Sequence, residues 1–238
     1  MNAINHNIKL LKIKTDESGI FLERPNRFLG KVKLGNNKIV CAHIHDPGRL
    51  KELLFHGNKV FVRHATNEKR KTKWDLIAAS SGGRRILVNS SFHRSIAEAI
   101  IKNPSISPFR AVDEIRAEVK NGDSRIDFLL VKNGKKIWVE VKGCTLIKGE
   151  TALFPDAPTL RGRKHLLNLI ASKKRGDESA VLFLLFVDAK QFSPNTETDP
   201  LFSDTLIYAH KERVKIYPVV LDYSNHYIRF KNRIPVLL

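Results

Sequence analysis

Between Glu118 and Lys142 the chain reads EVKNGDSRIDFLLVKNGKKIWVEVK, with apolar positions alternating on either side of two Asn-Gly pairs, at 121–122 and 133–134. Asn-Gly between alternating runs marks a β-hairpin turn, so the stretch predicts a three-strand meander. With Asn133-Gly134 as a two-residue turn, Lys132 faces Lys135, Phe128 faces Val139 and Leu130 faces Ile137. Ile126, Phe128, Leu130, Ile137, Val139 and Val141 then share one apolar face. The opposite face sets Asp127 against Glu140, with Cβ atoms about 5 Å apart, and places Lys142 two residues further along. A four-residue loop from Asn121 to Ser124 pairs Lys120 with Arg125 and Glu118 with Asp127, which would make a rung of three carboxylates. Facing like charges destabilise a sheet unless a cation lies between them. Oxygen ligands suit a hard cation, so Mg2+ or Mn2+ on Asp127 and Glu140 is the expected cofactor, with Glu118 assisting. Lys142 would steady an attacking water or the charge growing on a phosphate. The same side chains also read as a solvated sheet face, with Arg125 and Lys142 as ion-pair partners.

Elsewhere the pattern divides the chain in two. Short alternating runs at about 19–23, 27–34, 38–44, 58–64 and 74–80 predict five strands, with one short helix at 48–55 introduced by Asp46-Pro47-Gly48. Arg49, near the start of that helix, opposes the helix dipole and is a candidate phosphate contact. Ser80-Ser81-Gly82-Gly83 is the expected boundary, giving an N-terminal barrel over 1–83 and an α/β domain over 84–238. Helical spacing of Ile96, Ala97, Ile100 and Ile101 predicts a helix from Ser91 to about Ile101, on which Glu98 reads as a surface residue or a further acid. Thr159 and Gly176 bracket a second helix, with Leu160, Leu166, Leu167, Leu169 and Ile170 as its expected core face. Arg161, Lys164, His165 and Asn168 recur at i, i+3, i+4 and i+7 as a mostly cationic stripe. Val181 to Val187 does not alternate, so it should be buried on both faces of a mixed or parallel sheet. A helix at 200–212 and a strand at 214–221 complete the layer.

Charge sharpens this picture. Lys and Arg total 42 against 24 Asp and Glu, a net charge of +18. Residues 1–83 carry 16 basic and 7 acidic side chains and residues 84–238 carry 26 and 17, so the excess belongs to both halves. Such an excess implies an anionic partner. Nucleic acid fits better than membrane, because there is no basic amphipathic helix with a broad apolar face and the longest apolar run, Ala180 to Val187, is too short to span a bilayer. The run Glu68 to Lys73 packs Lys69, Arg70, Lys71 and Lys73 before Trp74, as a backbone-binding loop or a solvated one. Trp74 reads as a core residue or a base-stacking one. Cys41 and Cys144 lack metal spacing and read as free thiols in a reducing cytoplasm. His43 and His45 share a strand face without a third spaced ligand, which argues against zinc. There is no Gly-rich phosphate loop or nucleophile elbow. The spacing leaves the oligomeric state open.

The Arg125-Ile126-Asp127 and Glu140-Val141-Lys142 segments resemble the active-site signature of the PD-(D/E)xK nuclease superfamily. ERPNRFLGKV at 23–32, DPGRLKELL at 46–54, KRKTKWDL at 69–76, EVKNGDSRIDFLL at 118–130, EVK at 140–142 and FPDAPTLRGRKHL at 154–166, in that order, resemble the sugar fermentation stimulation protein family. The resemblance implies an N-terminal OB-like barrel joined to a restriction-endonuclease-like α/β domain with a mixed sheet, and DNA binding. The residues and the resemblance together give a leading expectation: a DNA-binding protein with a Mg2+-dependent phosphodiesterase site. Asp127, Glu140, Lys142 and Glu118 would be catalytic, and Arg49, Lys69, Arg70, Lys71, Lys73, Arg161, Lys164 and His165 would contact DNA. A DNA-binding regulator of sugar-metabolism genes without cleavage activity and an RNA-binding protein stay open as alternatives, since basic grooves do not reveal the sugar.

Overall fold

The structure is a computed structural model that describes residues 8–67 and 69–238. Strand β1 (Ile8–Lys12) is followed by β2 (Glu17–Asn26), β3 (Leu29–Leu34), β4 (Ile39–His43), β5 (Lys59–His64) and β6 (Trp74–Ser81). Strands β2 to β6 close a five-stranded OB-like barrel: β2 pairs with β3 and β5, β3 with β4, β5 with β6, and β4 lies parallel to β6 through Ala42↔Trp74 and His43↔Asp75. Alternation drives closure, because Val32, Leu34, Val40, Ala42, Val60, Val62 and Leu76 all point into one buried core.

The expected helix at 48–55 does not form. Leu50 takes a left-handed φ of 49°, which breaks any helix there, and its N–H donates to Asp156 Oδ2 at 3.0 Å. Leu50, Leu53 and Leu54 are still buried, so a single turn closed by Leu54 N–H to the Leu50 carbonyl at 2.8 Å does the packing. Arg24 locks this segment from the barrel side, donating to the carbonyls of Arg27, Asp46, Gly48 and Arg49.

Ser80 to Gly83 is a hairpin corner and not a linker. Gly82 and Gly83 have φ of 54° and 75°, and the turn returns the chain as β7 (Arg84–Leu87). β7 then pairs with the large sheet, so barrel and α/β half share one continuous ladder. A 3-10 turn at Ser90–Phe92 leads into α1 (His93–Lys102), which buries Ile96, Ala97, Ile100 and Ile101 as expected. β8 (Glu114–Asn121), β9 (Ser124–Lys132) and β10 (Lys135–Cys144) form the meander. β11 (Leu146–Lys148) and β12 (Thr151–Phe154) follow, and then α2 (Leu160–Lys174), capped by Thr159 Oγ1 accepting from Gly162 N–H at 3.0 Å. Leu166, Leu169 and Ile170 are buried, but Leu160 and Leu167 are exposed and do not belong to the core face.

β13 (Glu178–Leu185) lies between two parallel neighbours, β10 and β15 (Lys215–Ser224), and is buried along nearly its whole length. β14 (Gln191–Pro194) joins β11 and β12 in a small second sheet, and α3 (Pro200–Lys211) packs beside α2. The last strand, β16 (Tyr227–Arg233), pairs with both β15 and β1. The first described strand therefore belongs to the α/β sheet and not to the barrel.

Candidate active site

The hairpin register is the predicted one, with Lys135↔Lys132, Ile137↔Leu130 and Val139↔Phe128. There the β9–β10 ladder ends, while β10 stays paired on its other edge with β13 from Ile137↔Glu178 to Cys144↔Leu185. At the opening, Asp127 Oδ2 accepts the Val141 N–H at 2.7 Å, replacing the lost strand contact with a carboxylate. Asp127 is pushed up to about 6, first by burial and then by the Glu140 charge, against the pull of the Val141 N–H and Lys142.

Glu140 is 2% exposed. Its Oε1 accepts from Lys142 Nζ at 2.5 Å and from His165 Nδ1. Burial alone would raise its pKa, but Lys142 and His165 together outweigh burial and hold the carboxyl below its ordinary value. Its other oxygen, Oε2, is buried without a hydrogen-bond partner. A buried ionised oxygen left unpaired is costly, and a cation is the remedy that fits a carboxylate beside Asp127.

Two helices frame the strand from its two faces. From α2, His165 reaches Glu140, while Arg161 Nε approaches His165 Nε2 at 3.4 Å, which assigns the imidazole proton to Nδ1. From α1, His93 stacks on Phe186 at 5.3 Å and lies over Gly143, where an added Cβ would come within 2.2 Å of the ring. His93 is driven down to about 4, first by burial and then by Lys142.

Glu118 departs from the expected rung. It lies opposite Asp127 in register, between Ala117↔Phe128 and Val119↔Ile126, but its φ of 55° turns the side chain out to Arg94 at 3.4 Å and Arg125 at 3.3 Å. Among the described residues no group of three His, Cys, Asp or Glu side chains is placed to hold a metal ion, so the site is a pair of carboxylates and not a triad. Glu98 pairs with Lys102 on the surface.

His165, expected on a DNA-facing stripe, is buried against Glu140. The helical period carried the signal, since His165 falls among the buried positions Gly162, Leu166 and Leu169. Arg161 and Lys164 are exposed on the same helix, and Lys164 meets Asp123 at 2.9 Å. On the barrel, Lys69, Lys71 and Lys73 are exposed in the β5–β6 loop, whereas Arg70 turns back onto Asp75 at 2.8 Å; Glu68 lies outside the described residues. Trp74 is buried, with the His64 ring tilted against it at 3.7 Å. Arg49 is exposed on the turn that Arg24 holds, not on a helix.

The family model described as Sugar fermentation stimulation protein RE domain matches residues 91–227, and the SfsA N-terminal OB domain matches residues 22–88. A Sugar fermentation stimulation protein homolog of Thermosipho melanesiensis is 47% identical over 97% of this chain and 98% of its own length. That of Methanococcoides burtonii is 44% identical over 95% and 94%. Among solved structures, Pyrococcus furiosus SfsA in complex with Ca2+ superposes with a TM-score of 0.90 at 27% identity, covering 97% of this chain and all of that one.

Proposed function

The chain belongs to the sugar fermentation stimulation protein family, and from that premise we propose that it binds DNA and hydrolyses phosphodiester bonds at Asp127, Glu140 and Lys142. The barrel and the basic loop would hold nucleic acid and the α/β half would carry the chemistry. We place the protein in the cytoplasm, a reading supported by Cys41 and Cys144, both free thiols. Among the described residues no helix is long and apolar enough to cross a membrane.

The observation that carries the reading is the buried, unpartnered Glu140 Oε2 next to Asp127, with Lys142 on the same carboxylate. These donors fit a hard divalent ion, Mg2+ or Mn2+, held by Glu140 Oε2 and the Asp127 oxygen that does not take the Val141 N–H. A relative solved with Ca2+ supports the same class of ion. Bound there, the ion would supply a lowered water pKa and Lewis acidity toward a phosphate. Val141 N–H and His165 Nδ1–H each fix one carboxylate oxygen, leaving the other two free to converge. Lys142, anchored on Glu140, presents its ammonium to charge developing on the phosphate. Two protein carboxylates leave room for water and substrate oxygens, as Mg2+ sites commonly do.

Thermal unfolding with and without about 10 mM Mn2+, roughly a hundredfold over a weak Kd, tests the site. The wild type should be stabilised by about 2–3 kcal/mol, and Asp127→Ala should lose that shift while retaining DNA binding. Lys142→Ala should keep the shift and lose cleavage of plasmid, linear, single-stranded or branched DNA. No metal shift in the wild type refutes the site. A shift that Asp127→Ala abolishes, with no cleavage of any substrate, favours the regulator.

A further inference from the structure

The buried Trp74 cannot stack on a base, yet the barrel offers another ring. Phe28, in the β2–β3 turn, is 51% exposed. Its ring lies 6.3 Å from that of His43, with the planes only 22° apart. His43 in turn contacts His45 edge-on at 4.4 Å. His45 Nε2 is bonded to Asp75 at 3.2 Å, and Asp75 is bridged to Arg70 at 2.8 Å, in the loop that also exposes Lys69 and Lys71. A row of rings thus leads from an exposed phenyl group to a cationic loop across three barrel strands. Arg27, exposed beside Phe28, adds a charge at the far end. Burial, reinforced by the neighbouring His45 and Arg70, holds the His43 imidazole below its ordinary pKa, so at pH 7.5 it is an uncharged ring.

Phe28 is one of several exposed large apolar side chains, but it stands in line with further rings and so offers a face that something planar can cover. The flanking charges decide what that is: rings interleaved with Arg and Lys suit stacked bases and their phosphates, whereas a protein partner of matching charge would need no row of aromatic faces. Duplex bases are stacked on each other and cannot use such a row. We propose that Phe28 and His43 form a stacking platform for single-stranded DNA, whose backbone runs from Arg27 to the Lys69–Lys71 loop. This rests on the DNA-binding reading above and adds the form of DNA that the barrel selects.

Fluorescence anisotropy at pH 7.5 would compare a labelled oligo-dT of about 16 nucleotides with a duplex of equal length. Phe28→Ala should weaken single-strand binding about tenfold, the effect of one lost base stack, and change duplex binding less than about twofold. Phe28→Trp should restore the single-strand affinity, which a loss of charge or fold would not explain. Lys69→Ala with Lys71→Ala should weaken both probes. If wild-type protein binds the strand and Phe28→Ala binds it equally well, or loses strand and duplex alike, the platform is overturned while DNA binding stands. If the wild type binds neither probe, the DNA-binding reading falls and the platform with it.

Discussion

Two carboxyls, Asp46 and Asp127, are pushed up to about 6, with burial the first cause in each. They are met differently. Asp127 feels the neighbouring Glu140 charge, whereas Asp46 Oδ1 accepts the Gly48 N–H at 2.7 Å in a packed corner with Asp156, Glu52 and Arg24. A carboxyl whose folded pKa lies above its unfolded value stabilises the fold fully below the unfolded value near 3.8, and that contribution disappears as pH rises through about 6. Asp46→Asn keeps the acceptor for Gly48 and removes the charge. Its melting temperature should equal that of the wild type near pH 4 and exceed it by about 5 °C at pH 7, an order-of-magnitude figure read by calorimetry across pH. An equal difference at both pH values would show that Asp46 is ionised in the fold without cost. At this scale the hairpin register that leads toward Asp127 and Glu140 was legible as far as Val139↔Phe128, because a two-residue turn fixes it by parity. The turn of Glu118 away from them was not, since a left-handed residue within a strand leaves no mark in a hydrophobic pattern. The period of α2 marked His165 as buried, but its partner did not show, since Glu140 lies 25 positions away and is met only once α2 has docked.

Among the elements, β10 does most to fix the site, and Gly143 lets it do so. The residue after Lys142 must be glycine because the His93 ring occupies the space that a side chain would need. His93 is held between Phe186 and the strand, so it cannot give way cheaply. Gly143→Ala should cost about 1–3 kcal/mol, measured by urea unfolding, as overpacking of a filled core does. His93→Ala in the same chain should recover part of that loss, and additive costs would show that the two residues do not meet. The strongly periodic elements were readable: the meander, α1, α2, the buried β13 and α3. The helix expected at 48–55 failed because Leu50 takes a left-handed backbone conformation that no hydrophobic pattern records. The short strands β11, β12 and β14 stayed hidden, since three or four residues are too few to show a period.

For the whole molecule, the charge excess becomes a measurable salt dependence. Arg49, Lys69, Lys71, Lys73, Arg161 and Lys164 are exposed, and six phosphate contacts would give a slope of log K against log salt of about −5. Affinity for duplex DNA should then fall about a thousandfold between 50 and 200 mM salt, and Lys69→Ala with Lys71→Ala should flatten the slope by about two. Near-constant affinity over that range would mean that these cations do not touch phosphate. The division into barrel and α/β halves was legible from turn residues and strand spacing, while their joining through the β6–β7 hairpin was not, because Gly82-Gly83 serves a linker and a tight turn equally well. The pairing of β1 with β16 has a consequence for how the chain is made. Ile8 is partnered by Phe230 and Lys12 by Tyr227, so among the described residues this segment has its only strand partner in residues translated more than two hundred codons after it. Until then the barrel can close, since β2 to β6 need nothing downstream for their own ladder, but β1 must wait with its edge open. Synthesis order therefore makes the barrel the part that folds first and the β1–β16 seam the part that closes last.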